Sequence, residues 1–150
     1  MSYYLNPNNT INRLRREWNL HKHLIIAVDF DSTIHPYKDF EIAQDSEKIR
    51  NLIRELYNEG CTIIIWTAAT PDRIDRVKQQ LSTYNIKYHY FNENALDVNF
   101  AERKVYANAY LDDRAGLYET YTALNTLLIE RKYEKVNSYF HGLMKQMSRP

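Results

Sequence analysis

Two short apolar runs, "LIIAVDF" at residues 24–30 and "CTIIIW" at 61–66, constrain this chain more than any other feature. Both are rich in β-branched residues and bounded by polar ones, the pattern of strands buried on both faces of a parallel sheet. The segment between them has helical spacing. Asp45 is placed to cap it, Ile49, Leu52, Ile53, Leu56 and Tyr57 form one apolar stripe, and Gly60 ends it. Strand, helix, strand is a βαβ unit, and parallel strands need such a crossover.

The pattern continues beyond the second run. In "TPDRIDRVKQQL", Thr70 is a cap, Pro71 takes the first helical position, and Ile74, Val77 and Leu81 share a face. "KYHYF" (87–91) and "NAYL" (108–111) supply a third and a fourth strand. The expectation is an α/β protein with an open parallel sheet and flanking helices. A chain of 150 residues is most simply one domain. Its core is expected over about 24–116, with an N-terminal helical arm over 1–23 and C-terminal helices over 117–148.

Composition narrows the function classes. The formal net charge is +1, so no global field draws the protein to nucleic acid or anionic lipid. The single cysteine, Cys61, rules out an intrachain disulfide and is expected to pack as a small apolar side chain. The opening stretch "MSYYLNPNNTINRLRREW" has no apolar signal region, and no window approaches the ~18 apolar residues of a membrane span. These features lead to the expectation of a cytoplasmic, membrane-free protein.

Ligands of open α/β sheets bind outside the carboxyl ends of the strands. Strand one there delivers Asp29, Asp31 and Thr33; strand two delivers Thr67; strand four delivers Asp112 and Asp113. So many carboxylates at one edge repel one another unless a cation sits among them. An all-oxygen set with open positions suits a hard divalent ion, Mg²⁺, and a phosphate.

"DFDST" at 29–33, the threonine closing "IIIWTAA", and "LDD" at 111–113 followed by Arg114 resemble, in order and spacing, the first, second and fourth motifs of the haloacid dehalogenase (HAD) superfamily, chiefly Mg²⁺-dependent phosphatases. The resemblance covers about residues 24–116 and is nearest to small, capless members whose fourth motif reads DDR; it implies a Rossmann-like sheet with strand order 3-2-1-4. It implies that Asp29 is a nucleophile forming an aspartyl-phosphate, and that Asp31 is the general acid and then the base. It further implies that Thr67, with neighbouring backbone N–H groups such as that of Ala68, contacts the phosphoryl oxygens. Mg²⁺ would be held by Asp29, the Asp31 carbonyl and Asp112, with Asp113 binding directly or through water.

Two departures from the family pattern matter. Ser32 stands where many members have glycine. For the cation of the third motif, Lys104 matches best by sequence; if strand four began right after it, it would lie about 25 Å from Asp112 at ~3.3 Å per residue, so it serves only if strand four is short and residues 104–107 loop back toward the site. Arg73 and Arg114 are the alternatives, placed with Thr33 and Ala68 among the substrate-binding candidates. His35 and Tyr37 follow the first motif in an expected flap. The gaps between Thr33 and Thr67 and between Thr67 and Asp112 are filled by crossover elements, leaving no room for a cap domain.

At the ends, Ile11, Leu14 and Trp18 share a helical face that is expected to pack on the domain with Arg13, Arg15 and Arg16 left solvated. Leu117, Tyr121, Leu124 and Leu128 form one C-terminal stripe, and Val136, Phe140, Leu143 and Met147 another, suited to covering the sheet or pairing a homodimer. The expected activity is hydrolysis of a phosphate monoester, on a small phosphorylated metabolite or nucleotide. The alternatives are a phosphatase of polynucleotide ends or another macromolecular phosphate, and a catalytically silent binding module on the same fold.

Overall fold

The computed structural model of the chain describes residues 6–96, 98 and 104–147. Eight elements follow in order: α1 (Pro7–His21), β1 (Ile25–Val28), α2 (Ala43–Asn58), β2 (Thr62–Ile65), α3 (Pro71–Thr83), β3 (Tyr90–Phe91), β4 (Ala109–Leu111) and α4 (Leu117–Met147). The strands form one parallel sheet in the order β3-β2-β1-β4, as the resemblance implies. α2 and α3 are the crossovers from β1 to β2 and from β2 to β3, and β4 pairs on the other side of β1.

The strands are shorter than the apolar runs that announce them. In β1 the chain leaves the sheet after Val28, although Phe30 is still apolar, because Phe30 turns inward beneath the loop and is fully buried there. Alternation along β1 splits the core. Ile26 and Val28 face a large cluster built with Ile63, Ile65 and Leu111, covered by Leu14 and Trp18 of α1, by α2, and by Leu124 and Leu128 of α4. Ile25 and Ala27 face the other way, where the described cover is Ala95, Val98, Val105 and Ala107 rather than a helix. Cys61 is fully buried in the first cluster, as expected, and burial pushes its thiol up to about 11.

Helix boundaries differ from expectation in two places. The cap of α2 is Ile42, not Asp45; Asp45 sits in the first turn, where a carboxylate suits the helix dipole, and binds Lys48 at 2.9 Å. Gly60 does end the element, at φ +85°, a conformation costly for any side chain. At the C-terminus, the two stripes belong to one uninterrupted helix of 31 residues, since nothing between them breaks the helical ladder. Thr70 and Pro71 open α3 as read.

The α1 helix lays Leu14 and Trp18 into the core, but its arginines are not all solvated. Arg13 donates to Glu17 and to the Asn108 carbonyl, and Arg15 clamps Glu130 of α4 through two bonds. Trp18 is 1% exposed, with the Arg131 guanidinium 4.6 Å above its ring and no protein partner for its Nε1 among the described residues. Trp18→Ala is therefore expected to lower the unfolding free energy by about 3–5 kcal/mol, and Trp18→Phe by clearly less, since no hydrogen bond is lost. Urea titrations of the two variants check this; equal losses would contradict it.

Candidate active site

The site is set by the register of three strands. Val28 pairs with Ile65 on one side and Leu111 on the other, so β1, β2 and β4 end at the same level. Backbone bonds carry the alignment one residue further: Asp29 N–H donates to the Leu111 carbonyl at 2.9 Å, and Trp66 N–H to the Val28 carbonyl at 2.9 Å. Asp29, Trp66 and Asp112 thus leave the sheet side by side. The cavity above them, about 400 Å³, is lined by Asp29, Asp31, Asp112 and Asp113 together with the cations Lys38, Arg73 and Arg114. It is of the size usual for small-molecule sites.

After Asp29 the chain folds into a tight turn. The Phe30 carbonyl accepts from both Ile34 and His35 N–H, at 3.0 and 2.9 Å, and Ser32 N–H donates to the His35 carbonyl at 2.8 Å. This requires φ +62° at Ser32, the position where glycine is usual in the family the motif resembles. Serine accepts the conformation at a modest steric cost. The turn brings Asp31 over the same cavity as Asp29 and starts a flap over residues 36–42. In that flap Tyr37 N–H donates to the Glu41 carboxylate at 2.7 Å.

Burial and the facing carboxylates of Asp112, Asp113 and Asp31 push the Asp29 carboxyl up to about 7, against the opposing pull of the Phe30 N–H. Asp31 has a different partner: Arg73, from the first turn of α3, grips it with two bonds, at 2.9 and 3.2 Å. Asp112 takes the Arg114 N–H at 2.8 Å on Oδ1, and Asp113 N–H donates to the buried Thr33 hydroxyl at 3.2 Å. Thr33 therefore shapes the acidic pair from beneath and does not line the cavity. Asp113 is exposed, with its side chain free to face an ion directly or through water.

Thr67 is also buried behind the lining. Its hydroxyl oxygen accepts the Ala69 N–H at 3.2 Å, while Asn92 holds its backbone through paired bonds of 2.8 and 2.9 Å. Trp66 and Ala68 on either side line the cavity.

Of the catalytic candidates, Asp29 and Asp31 line the cavity, while Thr67 and Lys104 do not. Asn108 N–H bonds the Ile25 carbonyl at the amino end of β1, so the chain enters β4 from the edge opposite the cavity, and Lys104 precedes that point, exposed. Neighbouring Val105 and Ala107 are committed to the second apolar cluster and hold the segment there. Lys38 was not singled out from the sequence. Its signal was its place in the flap of "HPYKDF", within reach of a site the first motif had already located. Trp66, 38% exposed, was hidden by its membership of an apolar run. His35 faces away from the carboxylates, bonded to the Tyr84 hydroxyl at 2.7 Å and stacked on Phe30. Burial lowers its pKa.

Among the described residues, no three His, Cys, Asp or Glu side chains form a preformed metal cage. Mg²⁺ does not need one, because it keeps several waters and takes one or two carboxylates plus substrate phosphate. The donor set here, all oxygen and mutually repelling around Asp29, fits such an ion.

No protein-family model matches the chain, and no curated protein matches it. A solved structure of a conserved protein from Bacteroides thetaiotaomicron is similar, with a TM-score of 0.58 and 21% identity, over 73% of this chain and 92% of that one. At that identity the likeness speaks to the fold: an open α/β sheet with helices packed against it. No helix among the described residues is long and apolar enough to cross a membrane.

Because the folded state holds the Asp29 proton more tightly than the unfolded chain does, stability contributed by this group falls as pH rises from about 4 to about 7. Asp29→Asn removes the penalty. It is expected to raise Tm at pH 8 by roughly 2–4 °C, the shift that ~1 kcal/mol produces in a chain this size, with the gain vanishing near pH 4. Thermal unfolding at the two pH values checks this, and a variant less stable at pH 8 would contradict it.

Proposed function

We propose that the protein is a Mg²⁺-dependent phosphohydrolase that cleaves a phosphate monoester through an aspartyl-phosphate on Asp29. The observation that carries this reading is the shared level of β1, β2 and β4, which gathers Asp29, Asp31 and Asp112 with three cationic side chains around one cavity. Carboxylates alone would repel a phosphate, and arginines alone would only bind it. A nucleophile, an acid and charge neutralisation together suit phosphoryl transfer.

In this mechanism an Asp29 carboxylate oxygen attacks phosphorus in line with the leaving oxygen, and Asp31 gives its proton to that oxygen. Asp31, now a carboxylate, takes a proton from water as the water attacks phosphorus, releasing phosphate and restoring Asp29. Arg73 has two partners in turn. It holds Asp31 in the resting site, and an incoming phosphate competes for its guanidinium, leaving Asp31 able to carry the proton. Arg73 thereby serves as the cation of the site, with Lys38 and Arg114 also in the lining, which does not include Lys104. Ala68, in the lining just past the end of β2, offers its N–H to the remaining phosphoryl oxygens, and Thr67 holds that turn from behind through the Ala69 N–H. Asp29, the Asp31 carbonyl and Asp112, with Asp113 directly or through water, would hold Mg²⁺, which when bound would neutralise charge on the transferring phosphoryl group.

The substrate is a small phosphorylated molecule, with a nucleotide favoured. Trp66 and Tyr37 present aromatic surface to the cavity beside the charges, a surface on which a base can stack. A cytoplasmic setting, where nucleotides abound and the lone buried thiol stays reduced, belongs to the same reading.

The test is phosphate release from a panel of nucleotides, sugar phosphates and end-phosphorylated oligonucleotides, with and without Mg²⁺. Release is expected to vanish with EDTA and in Asp29→Asn, and kcat/KM to fall about 10²–10³-fold in Arg73→Ala, the range for removing one charge-stabilising donor. Lys104→Ala is expected to be nearly silent. Absence of release from folded, Mg²⁺-binding protein would favour the binding-module reading, and preference for oligonucleotides with a steep salt dependence would favour the polynucleotide one.

A further inference from the structure

The α4 helix is longer than the domain needs. Its buried residues are Ala123, Leu124, Leu127 and Leu128, and every residue from Lys132 to Met147 is exposed. At 1.5 Å per residue its 31 residues span about 46 Å, roughly half of which extends past the last buried turn. A helical extension of this length is marginal alone in water. If it served only as a solvated tail, it should be polar around its circumference.

It is not. Ile129, Tyr133, Val136, Phe140, Leu143 and Met147 recur at spacings of four, three, four, three and four, the a/d pattern of a coiled-coil seam, and all are exposed. The seam begins where the helix leaves the body. At 100° per residue it lies about 120° around the helix from the side that carries Leu124 and Leu128 into the core. That inner side also carries Lys135, which with Lys132 reaches back to Glu59 and Glu55 of α2 at 2.7 and 2.6 Å. The seam is therefore a second face, turned away from the domain, not a continuation of the core stripe.

We propose that this seam is the pairing surface for a second copy of the chain. Self-complementarity supports that occupant. Reversing one helix about Ser138 sets Val136 against Phe140, Tyr133 against Leu143, and Ile129 against Met147 of the other copy, a smaller side chain opposite a larger one in the first two layers and two of similar size in the third. The flanking positions oppose no like charges in this register: Lys132 falls near Gln146, Glu130 near Met144, and Tyr139 near its own equivalent. Together with Tyr139 and Met144, the seam offers on the order of 600–800 Å² per copy, close to the ~800 Å² each partner buries in a standard interface. It also exceeds the largest apolar patch usual on a monomer.

The experiment is sedimentation velocity on the full chain across a range of concentrations. Wild type is expected at twice the 18.0 kDa chain mass. The double variant Val136→Glu with Phe140→Glu is expected to be a monomer at concentrations 100-fold above those at which wild type is dimeric. Its phosphate-release cavity and thermal transition are far from the change and report that the domain is folded. Ser138→Glu, on the opposite side of the same helix, is expected to stay dimeric. A wild-type mass other than two chains, or a dimer that persists in the double variant, would overturn the proposal.

Discussion

The alignment of three parallel strand ends is the constraint on which the rest of the molecule depends. Val28, Ile65 and Leu111 stand in register, and two backbone hydrogen bonds extend that register to Asp29 and Trp66. Because side chains alternate along a strand, a one-residue slip would turn Ile26 and Val28 out of the main cluster and carry the carboxylates off the cavity in the same movement. The core and the site are thus held by one set of bonds. Burial of Ile63, Ile64 and Ile65 at the centre fixes a register that the short strands could not hold through hydrogen bonds alone.

The site works against the fold that carries it. Burial of Asp29, with Asp112, Asp113 and Asp31 gathered around it, raises its carboxyl to about 7, which is desolvation and repulsion retained in the native state. Arg73 relieves part of it by clamping Asp31, and the Asp112 side chain is tied by the Arg114 N–H. A positive φ at Ser32 adds backbone strain at the same turn. Such concentration of cost within a few residues is intelligible if those residues bind a cation and an anion in use.

Much of this was legible in the sequence because the relevant signals are local. The β-branched runs, the stripe from Ile49 to Leu56, and the punctuation by Thr70, Pro71 and Gly60 each act over one or two turns, and they made the parallel α/β layout and the delivery of the acids to one sheet edge readable. What escaped was long-range. Asp45 looked like a cap because its competitor, Ile42, caps by backbone conformation without a polar side chain. The Arg15–Glu130 clamp joins residues far apart in sequence, and no periodicity announces it. Where Lys104 sits depends on the path of residues 104–107, whose Val105 and Ala107 join the second cluster through contacts no local pattern announces. Lys38 and Trp66 became site residues only when a flap and a strand end were closed over the same space.

The claim at the centre of this account is that Asp29 takes the phosphoryl group. Incubating the protein with Mg²⁺ and acetyl phosphate, quenching in acid and mapping the peptides by mass spectrometry tests it most directly. The account predicts phosphate on the peptide containing Asp29, absent with EDTA and absent from Asp29→Asn. Steady turnover with that peptide unmodified at every quench time, or with the label on another residue, would contradict it.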